Sequence, residues 1–221
     1  MESLKQLLTN PFKGLNPQKF QRKCSEIAEK LFKNYCLKCG EKTFAFAEIE
    51  FYYFNDDERI KLNYNWNEVT YERSKYSAGD LFYHLSGVDI CFDSELNKDI
   101  KTKKKSGYGG GVLIRSIREI GKEEKIIVGP LTCVNEMLNA CEGGCMPQLV
   151  AVSEQLNCTP QETYRYLGKN DFELIENTEK QAEKRKVNID GNLKLAFYDA
   201  NIQEKEWNNA RSSYYSKRLA K

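Results

Sequence analysis

Apolar residues recur at helical spacing after Asn16-Pro17. Phe20, Cys24, Ile27, Ala28, Leu31 and Phe32 fall on one face, and an Asn cap followed by Pro in the first turn predicts a helix start there. The pattern then switches to alternation. Residues 43–54 (TFAFAEIEFYYF) read as an aromatic-rich strand. Residues 81–93 (LFYHLSGVDICFD) read as a second strand, bent at Gly87, with a polar, irregular stretch over 55–80 between the two. Residues 111–118 (GVLIRSIR) form a third strand, and Tyr108-Gly109-Gly110-Gly111 before it reads as a flexible turn. Gly129-Pro130 opens a helix through Ala140. Thr159-Pro160-Gln161-Glu162 has the form of a capping box and predicts another helix, ended by Gly168. LKLAFYD at 193–199 is a further strand, and a terminal helix follows from about Gln203.

Strands and helices do not alternate regularly, which disfavours a doubly wound sheet. The expectation is an α+β chain with a mainly antiparallel, barrel-like sheet flanked by helices. One domain is expected over 1–221, with an N-terminal helical part at 1–42, a core at 43–200 and a C-terminal helix at 201–221.

The 221 residues, 30% charged and 12% aromatic, have the composition of a soluble globular protein large enough to bury its own core. No apolar run is long enough for a membrane span, and the first residues lack a signal pattern, so a cytoplasmic location is expected. The net charge of +2 announces no nucleic-acid partner by itself. Two local clusters do more: Lys98, Lys101, Lys103, Lys104 and Lys105, and the acid-free run holding Arg211, Lys217, Arg218 and Lys221. Either can follow a phosphate backbone or serve as a solvated loop or helix end. Eight cysteines without an export signal are expected to be thiols. Cys36/Cys39 and Cys141/Cys145 offer four sulfurs, but their spacings differ and no His is near, so buried thiols are favoured over zinc and no metal is expected.

Parity on the first strand separates two faces. Ala45, Ala47, Ile49, Phe51 and Tyr53 form an apolar one; Phe46, Glu48, Glu50, Tyr52 and Phe54 form the other. Two carboxylates among aromatic rings need a cation to keep them ionised. Arg115, enclosed by Val112, Leu113, Ile114 and Ile117, is that cation, with Glu50 its first partner. A structural ion pair satisfies the same pattern. On the second strand Tyr83, Gly87, Asp89, Cys91 and Asp93 share a side and His84, the one histidine, points away. A packed, hydrogen-bonded role is favoured for it.

These blocks resemble, in order, the strands of the alkylpurine (3-methyladenine-type) DNA glycosylases. AEIEFYY at 47–53 is similar to a strand with a Glu-x-Tyr signature. LFYHLSGVDICFD is similar to a tyrosine-rich strand, GVLIRSIREIG at 111–121 to an apolar-apolar-Arg strand, VGPLTCVNEMLN at 128–139 to a Gly-Pro helix start, and LKLAFYD to a late strand. The resemblance spans about 45–200. It implies a fold shared with that family and with the C-terminal domain of formyltransferases. It also implies a monofunctional DNA glycosylase in base excision repair, a monomer without cofactor. Glu50 becomes the general base, Arg115 its holder, Tyr52 and Tyr83 the two sides of a base sandwich, and Asp93 the screen of the base edge. Ser86, Arg73, Lys103, Lys104 and Lys105 become DNA contacts.

Four departures go with it. Asp93 stands where the family has Asn, Ser86 where it has a wedging Tyr, no His follows the Glu-x-Tyr, and the family's Arg-Asn-Arg stretch is only faintly echoed by Glu72-Arg73-Ser74-Lys75. Base recognition is therefore expected to differ. The rival expectations are a non-catalytic nucleic-acid-binding module on the same fold, a glycosylase for a non-alkylated modified base, and hydrolysis of a free nucleoside. No lysine fits a Schiff-base role, so simple hydrolysis to an abasic site is expected.

Overall fold

The computed structural model describes residues 3–9, 17–55, 72–98, 105–121, 125–165 and 194–219. It is an α+β domain built on one curled, antiparallel, half-barrel sheet. The elements in chain order are α1 (Leu4–Leu8), α2 (Pro17–Asn34), β1 (Tyr35–Cys39), β2 (Lys42–Asn55), β3 (Leu81–His84), β4 (Gly87–Cys91), β5 (Glu95–Lys98), β6 (Lys105–Glu119) and β7 (Ile126–Val128). Then come α3 (Pro130–Ala140), a short 3-10 turn (Glu142–Gly144), β8 (Gln148–Ala151), β9 (Pro160–Arg165), β10 (Lys194–Asp199) and α4 (Glu204–Leu219).

Two long strands form the spine. β2 and β6 pair along most of their lengths. β2 carries β1 and β10 on its other edge, while β6 carries β5, β4 and β7 in succession. The main core lies on one side of this spine. Cys24, Ile27, Ala28, Leu31 and Phe32 of α2 pack there with Cys133, Val134 and Met137 of α3 against Ile49, Phe51, Val112 and Ile114. The helical face read after Asn16-Pro17 is thus the buried one. A smaller cluster of Ala47, Val128, Ile202 and Trp207 joins the start of α4 to the sheet.

Several elements differ from the sequence expectations. Residues 81–93 form a hairpin rather than one bent strand: His84 pairs with Gly87 across a turn of Leu85 and Ser86. Gly87 has φ +155°, and a Cβ there would stand 2.8 Å from Pro130 and 2.9 Å from Leu113, so glycine lets the hairpin close against α3. The run Tyr108–Gly111 lies inside β6, not in a turn. An added Cβ on Gly110 would meet the Tyr52 carbonyl oxygen at 2.1 Å, so the missing side chain allows close strand approach.

Residues 160–165 are the edge strand β9 rather than a helix. Pro160 opens it and Glu162, instead of closing a capping box, takes two hydrogen bonds from Gln21 at 2.7 and 3.0 Å. Gly168, its expected terminator, lies outside the described residues. Tyr35–Cys39 is a strand within a stretch read as helical, and β5, β7 and β8 are too short for periodicity to reveal.

The parity of β2 also changes midway. Phe46 pairs with Ile117 and Glu48 with Ser116, leaving Ala47 extra on β2; Ile49 then pairs with Ile114, leaving Arg115 extra on β6. Each bulge moves its strand by one residue. Phe44 and Phe46 therefore join Ile49, Phe51 and Tyr53 in the core, although Phe46 was expected opposite them.

Candidate active site

The paired bulges create the site. An unbroken β2 would carry the core face from Phe46 to Glu48 and Glu50; the extra Ala47 turns both carboxylates onto the opposite face. The extra residue on β6 turns Arg115 to the same side. Its carbonyl is held by the Gly129 N–H at 2.9 Å, so the start of α3 fixes the bulged backbone. Arg115 Nη1 donates to Glu50 Oε2, and its Nε lies 3.9 Å from Glu48 Oε1. Ser116 Oγ donates to Glu48 Oε2 at 3.3 Å.

Glu50 is 0% exposed and the Arg115 side chain 11%. Burial alone works against the guanidinium's charge, but Glu50, then Glu48 and Tyr52, outweigh it and push its pKa up. Arg115 therefore stays cationic at every accessible pH, and so supplies the field that an ionised carboxylate in such a place requires.

A second charged centre lies on the same face. Asp89 pairs with Leu113, and Leu113 pairs with Glu50, so the three side chains stand in one row across β4, β6 and β2. The Cα atoms of Asp89 and Glu50 are then two strand spacings apart, roughly 10 Å. Arg73 Nη1 donates to Asp89 Oδ2 inside the protein. The Arg73 stem lies over Gly111, where an added Cβ would stand 3.1 Å from Arg73 Cδ. His84 Nε2 sits 3.4 Å from Asp89 Oδ1, and His84 Nδ1 accepts from the Ser86 N–H at 3.2 Å. Burial pushes the Asp89 carboxyl up, but the adjoining His84 imidazole and Arg73 guanidinium together hold it below its usual range.

Of the residues expected at the site, Glu50, Arg115 and Tyr52 come together. Tyr52 pairs with Gly111 on the Glu50 face and interacts electrostatically with Arg115. Tyr83 does not join them. The hairpin turn inverts the parity read from a continuous strand, so Tyr83 pairs with Val88 on the core face. There burial first, and Cys39 and Cys141 next, push its phenol up. The two-tyrosine sandwich is therefore not formed. The same inversion brings His84 to Asp89 rather than away from it.

Asp93 is also elsewhere. Phe92 N–H donates to the Gly110 carbonyl at 3.2 Å, and Asp93 N–H to the Leu8 carbonyl at 3.0 Å. Gly110 is three residues along β6 from Leu113, roughly 10 Å. Asp93 thus stands beside α1 and Tyr108, outside the Glu50 row.

Arg73, expected to meet phosphate, is spent on Asp89. Ser86 is exposed at the hairpin tip beside Leu85, which is 96% exposed. Lys103 and Lys104, with Lys101 and Lys221, lie outside the described residues; Lys105 opens β6 opposite Lys98.

The two cysteine pairs lie near one another: Cys39 meets Cys141, which in turn meets Cys145, and Cys36 also acts on Cys39 electrostatically. Burial first, and the adjoining thiols next, push Cys39 up to about 12, so it keeps its proton. Among the described residues no group of three or more His, Cys, Asp or Glu is arranged to hold a metal ion. Asp89 is the functional candidate that the sequence reading left without a partner. Its signal was a carboxylate inside the apolar run Val88-Asp89-Ile90, but its arginine is 16 residues away on an irregular segment.

No protein-family model, curated protein or solved structure matches the chain at a significant level. No helix among the described residues is long and apolar enough to cross a membrane.

Proposed function

We propose that the protein is a DNA glycosylase that hydrolyses the bond between a flipped-out, damaged or modified base and its sugar, leaving an abasic site. The observation that carries this reading is Glu50, a fully buried carboxylate held against Arg115 by two opposed bulges, with Tyr52 on the same face. Bulges of this kind re-aim side chains next to reacting groups.

In this reading the nucleotide leaves the duplex at a cost of a few kcal/mol, and stacking on Tyr52 returns about 1–3 kcal/mol. Glu50 accepts a proton from the attacking water. Its charge also stabilises the cationic sugar that develops as the bond breaks. Arg115 holds and orients Glu50. A panel of duplexes, each with one modified base, tests this by scoring abasic sites. Glu50→Gln keeps the side chain's size but cannot take the proton, so base release is expected to fall by about 10²–10⁴ with fold and duplex binding retained. Near-normal turnover of the variant refutes the role.

A second reading is favoured by the complete burial of Glu48 and Glu50 and by the turning away of Tyr83. It is a nucleic-acid-binding module in which Glu48, Glu50 and Arg115 are structural. No abasic sites from any duplex, together with undiminished duplex binding by Glu50→Gln, selects this reading over the first.

A further inference from the structure

Three thiols meet where the end of α3 crosses the turn between β1 and β2. Gly40 in that turn has φ +58°, and a Cβ there would stand 2.4 Å from the Ala140 carbonyl oxygen and 3.8 Å from Cys141 Cα. The bare backbone lets Cys141, just after α3, come against Cys39, just before Gly40. The Cys39 and Cys141 thiols are in hydrogen-bond contact, and Cys141 makes the same contact with Cys145. Cys39 is fully buried, Cys141 is 8% exposed and Cys145 is open to solvent. The row therefore runs from the core to the surface, and all three are free thiols.

The chain between Cys141 and Cys145 can draw their sulfurs together. Glu142–Gly144 form a 3-10 turn in which Gly143 and Gly144 have φ +79° and +88°. Nothing lies within 4 Å of a Cβ added at either, so the turn has room to tighten. A disulfide needs the two sulfurs to close from contact to about 2.05 Å. A glycine turn in open space absorbs that movement without disturbing the core.

The surroundings suit a sulfur that becomes charged during a reaction. The Gly40 N–H and the Cys39 thiol both favour the charged form of Cys141. The Tyr83 hydroxyl is buried without a hydrogen-bond partner among the described residues, and it stands close enough to Cys39 and Cys141 to feel their charge. A neutral thiol is a weak acceptor, whereas the thiolate is the nucleophile and takes such donors well. At rest, burial first and Cys145 next push the Cys141 thiol up. It keeps its proton until an electrophilic sulfur stands beside it.

We infer that Cys145 and Cys141 form a reversible oxidation site for peroxides, Cys145 being the thiol attacked and Cys141 the one that closes the disulfide. In the first step the Cys145 sulfur attacks the peroxide. An S–O bond forms, the O–O bond breaks, and the leaving oxygen takes the thiol proton to depart as water or an alcohol. In the second, the Cys141 sulfur attacks the sulfenic sulfur of Cys145. The S–S bond forms, the S–O bond breaks, and the hydroxyl leaves with the Cys141 proton as water. The two sulfurs together give up two electrons, which the two peroxide oxygens receive. A small dithiol reverses the modification by exchange. The site is independent of Glu50 and of the reaction proposed there.

The test treats the whole protein with equimolar hydrogen peroxide, blocks the remaining thiols with N-ethylmaleimide and maps the peptides by mass spectrometry. Two of the eight cysteines are expected to escape alkylation, namely Cys141 and Cys145, linked to each other within one chain. Dithiothreitol added before the alkylation is expected to restore both. Cys145→Ser, at an exposed position, should keep the fold and lower the disulfide yield by about tenfold or more. Cys141→Ser should leave a sulfenic acid on Cys145 that dimedone traps. The inference is overturned by the absence of any linked pair or by a link that omits Cys145, such as Cys39 to Cys141. Oxygen uptake confined to Met146, which is 55% exposed, overturns it too, as does an unchanged disulfide yield in Cys145→Ser.

Discussion

Removing the Arg115 guanidinium is the sharpest perturbation of the site. Arg115→Ala leaves Glu50 and Glu48 buried without the cation that both touch. Breaking a buried ion pair from one side costs about 3–5 kcal/mol, far above the ~1 kcal/mol ceiling of an exposed pair. For a chain of this size that corresponds to a fall in melting temperature of about 6–20 °C. It is also a large share of the ~5–15 kcal/mol by which domains are stable at all.

Glu50→Gln should cost less, because Arg115 keeps Glu48 and the amide oxygen can still accept. The double variant should then cost less than the sum of the singles, by ~0.5–3 kcal/mol of coupling. Urea unfolding of the four proteins measures all three quantities. The slope of free energy against urea should stay constant, which checks that the denatured states are comparable. A cost below ~1 kcal/mol for Arg115→Ala, or strict additivity, would refute the claim that this pair is a buried, coupled unit.

Three further outcomes are expected. Asp89 has a lowered carboxyl pKa, so its contribution to stability is present above the unfolded-state value and lost as pH falls through the folded one; Asp89→Asn should flatten the acid limb of a stability-versus-pH curve, and an unchanged limb would contradict the assignment. Gly110→Ala places a Cβ 2.1 Å from the Tyr52 carbonyl and should destabilise by about 1–3 kcal/mol in urea unfolding. Asp93→Asn, away from the Glu50 row, should leave the ranking of released bases unchanged in the duplex panel; a changed ranking would bring Asp93 back to the base.

Much of the fold was legible in the residues. The face of α2, the strand at 43–54, the Gly-Pro start of α3 and the strand at 193–199 stand where periodicity and caps put them. What failed was parity across irregularities. A period-two pattern carries no mark of an inserted residue, so Ala47 moved Phe46 into the core unannounced. Ser86-Gly87 likewise reads equally as a bend or a tight turn, and only the turn puts His84 on the Asp89 side and Tyr83 on the other. Thr159-Pro160-Gln161-Glu162 has every local feature of a helix start, but the free edge of β10 gives those residues a strand partner, and pairing overrides the cap. The Arg115–Glu50 pair survived these errors because it was argued from chemical need, a buried charge requiring an opposite one, rather than from parity.

That same need separates the two centres in kind. Arg115 approaches its carboxylates from within the sheet, on a backbone fixed by Gly129. Arg73 reaches Asp89 from outside the sheet, across the bare backbone of Gly111. The first arrangement is rigid, since the bulge, the start of α3 and the β2 ladder all hold it. The second depends on one long side chain from an irregular segment. A domain with this much apolar core gains little net stability from either, because replacing buried ion pairs with well-packed apolar residues is often neutral or favourable. Their shared row therefore asks for another explanation. The hydrolysis proposed for Glu50 would demand a charge fixed in place before the reaction, which a bulged strand supplies. Leu113, the apolar residue between them, keeps the two carboxylates roughly 10 Å apart, so each is held by its own arginine.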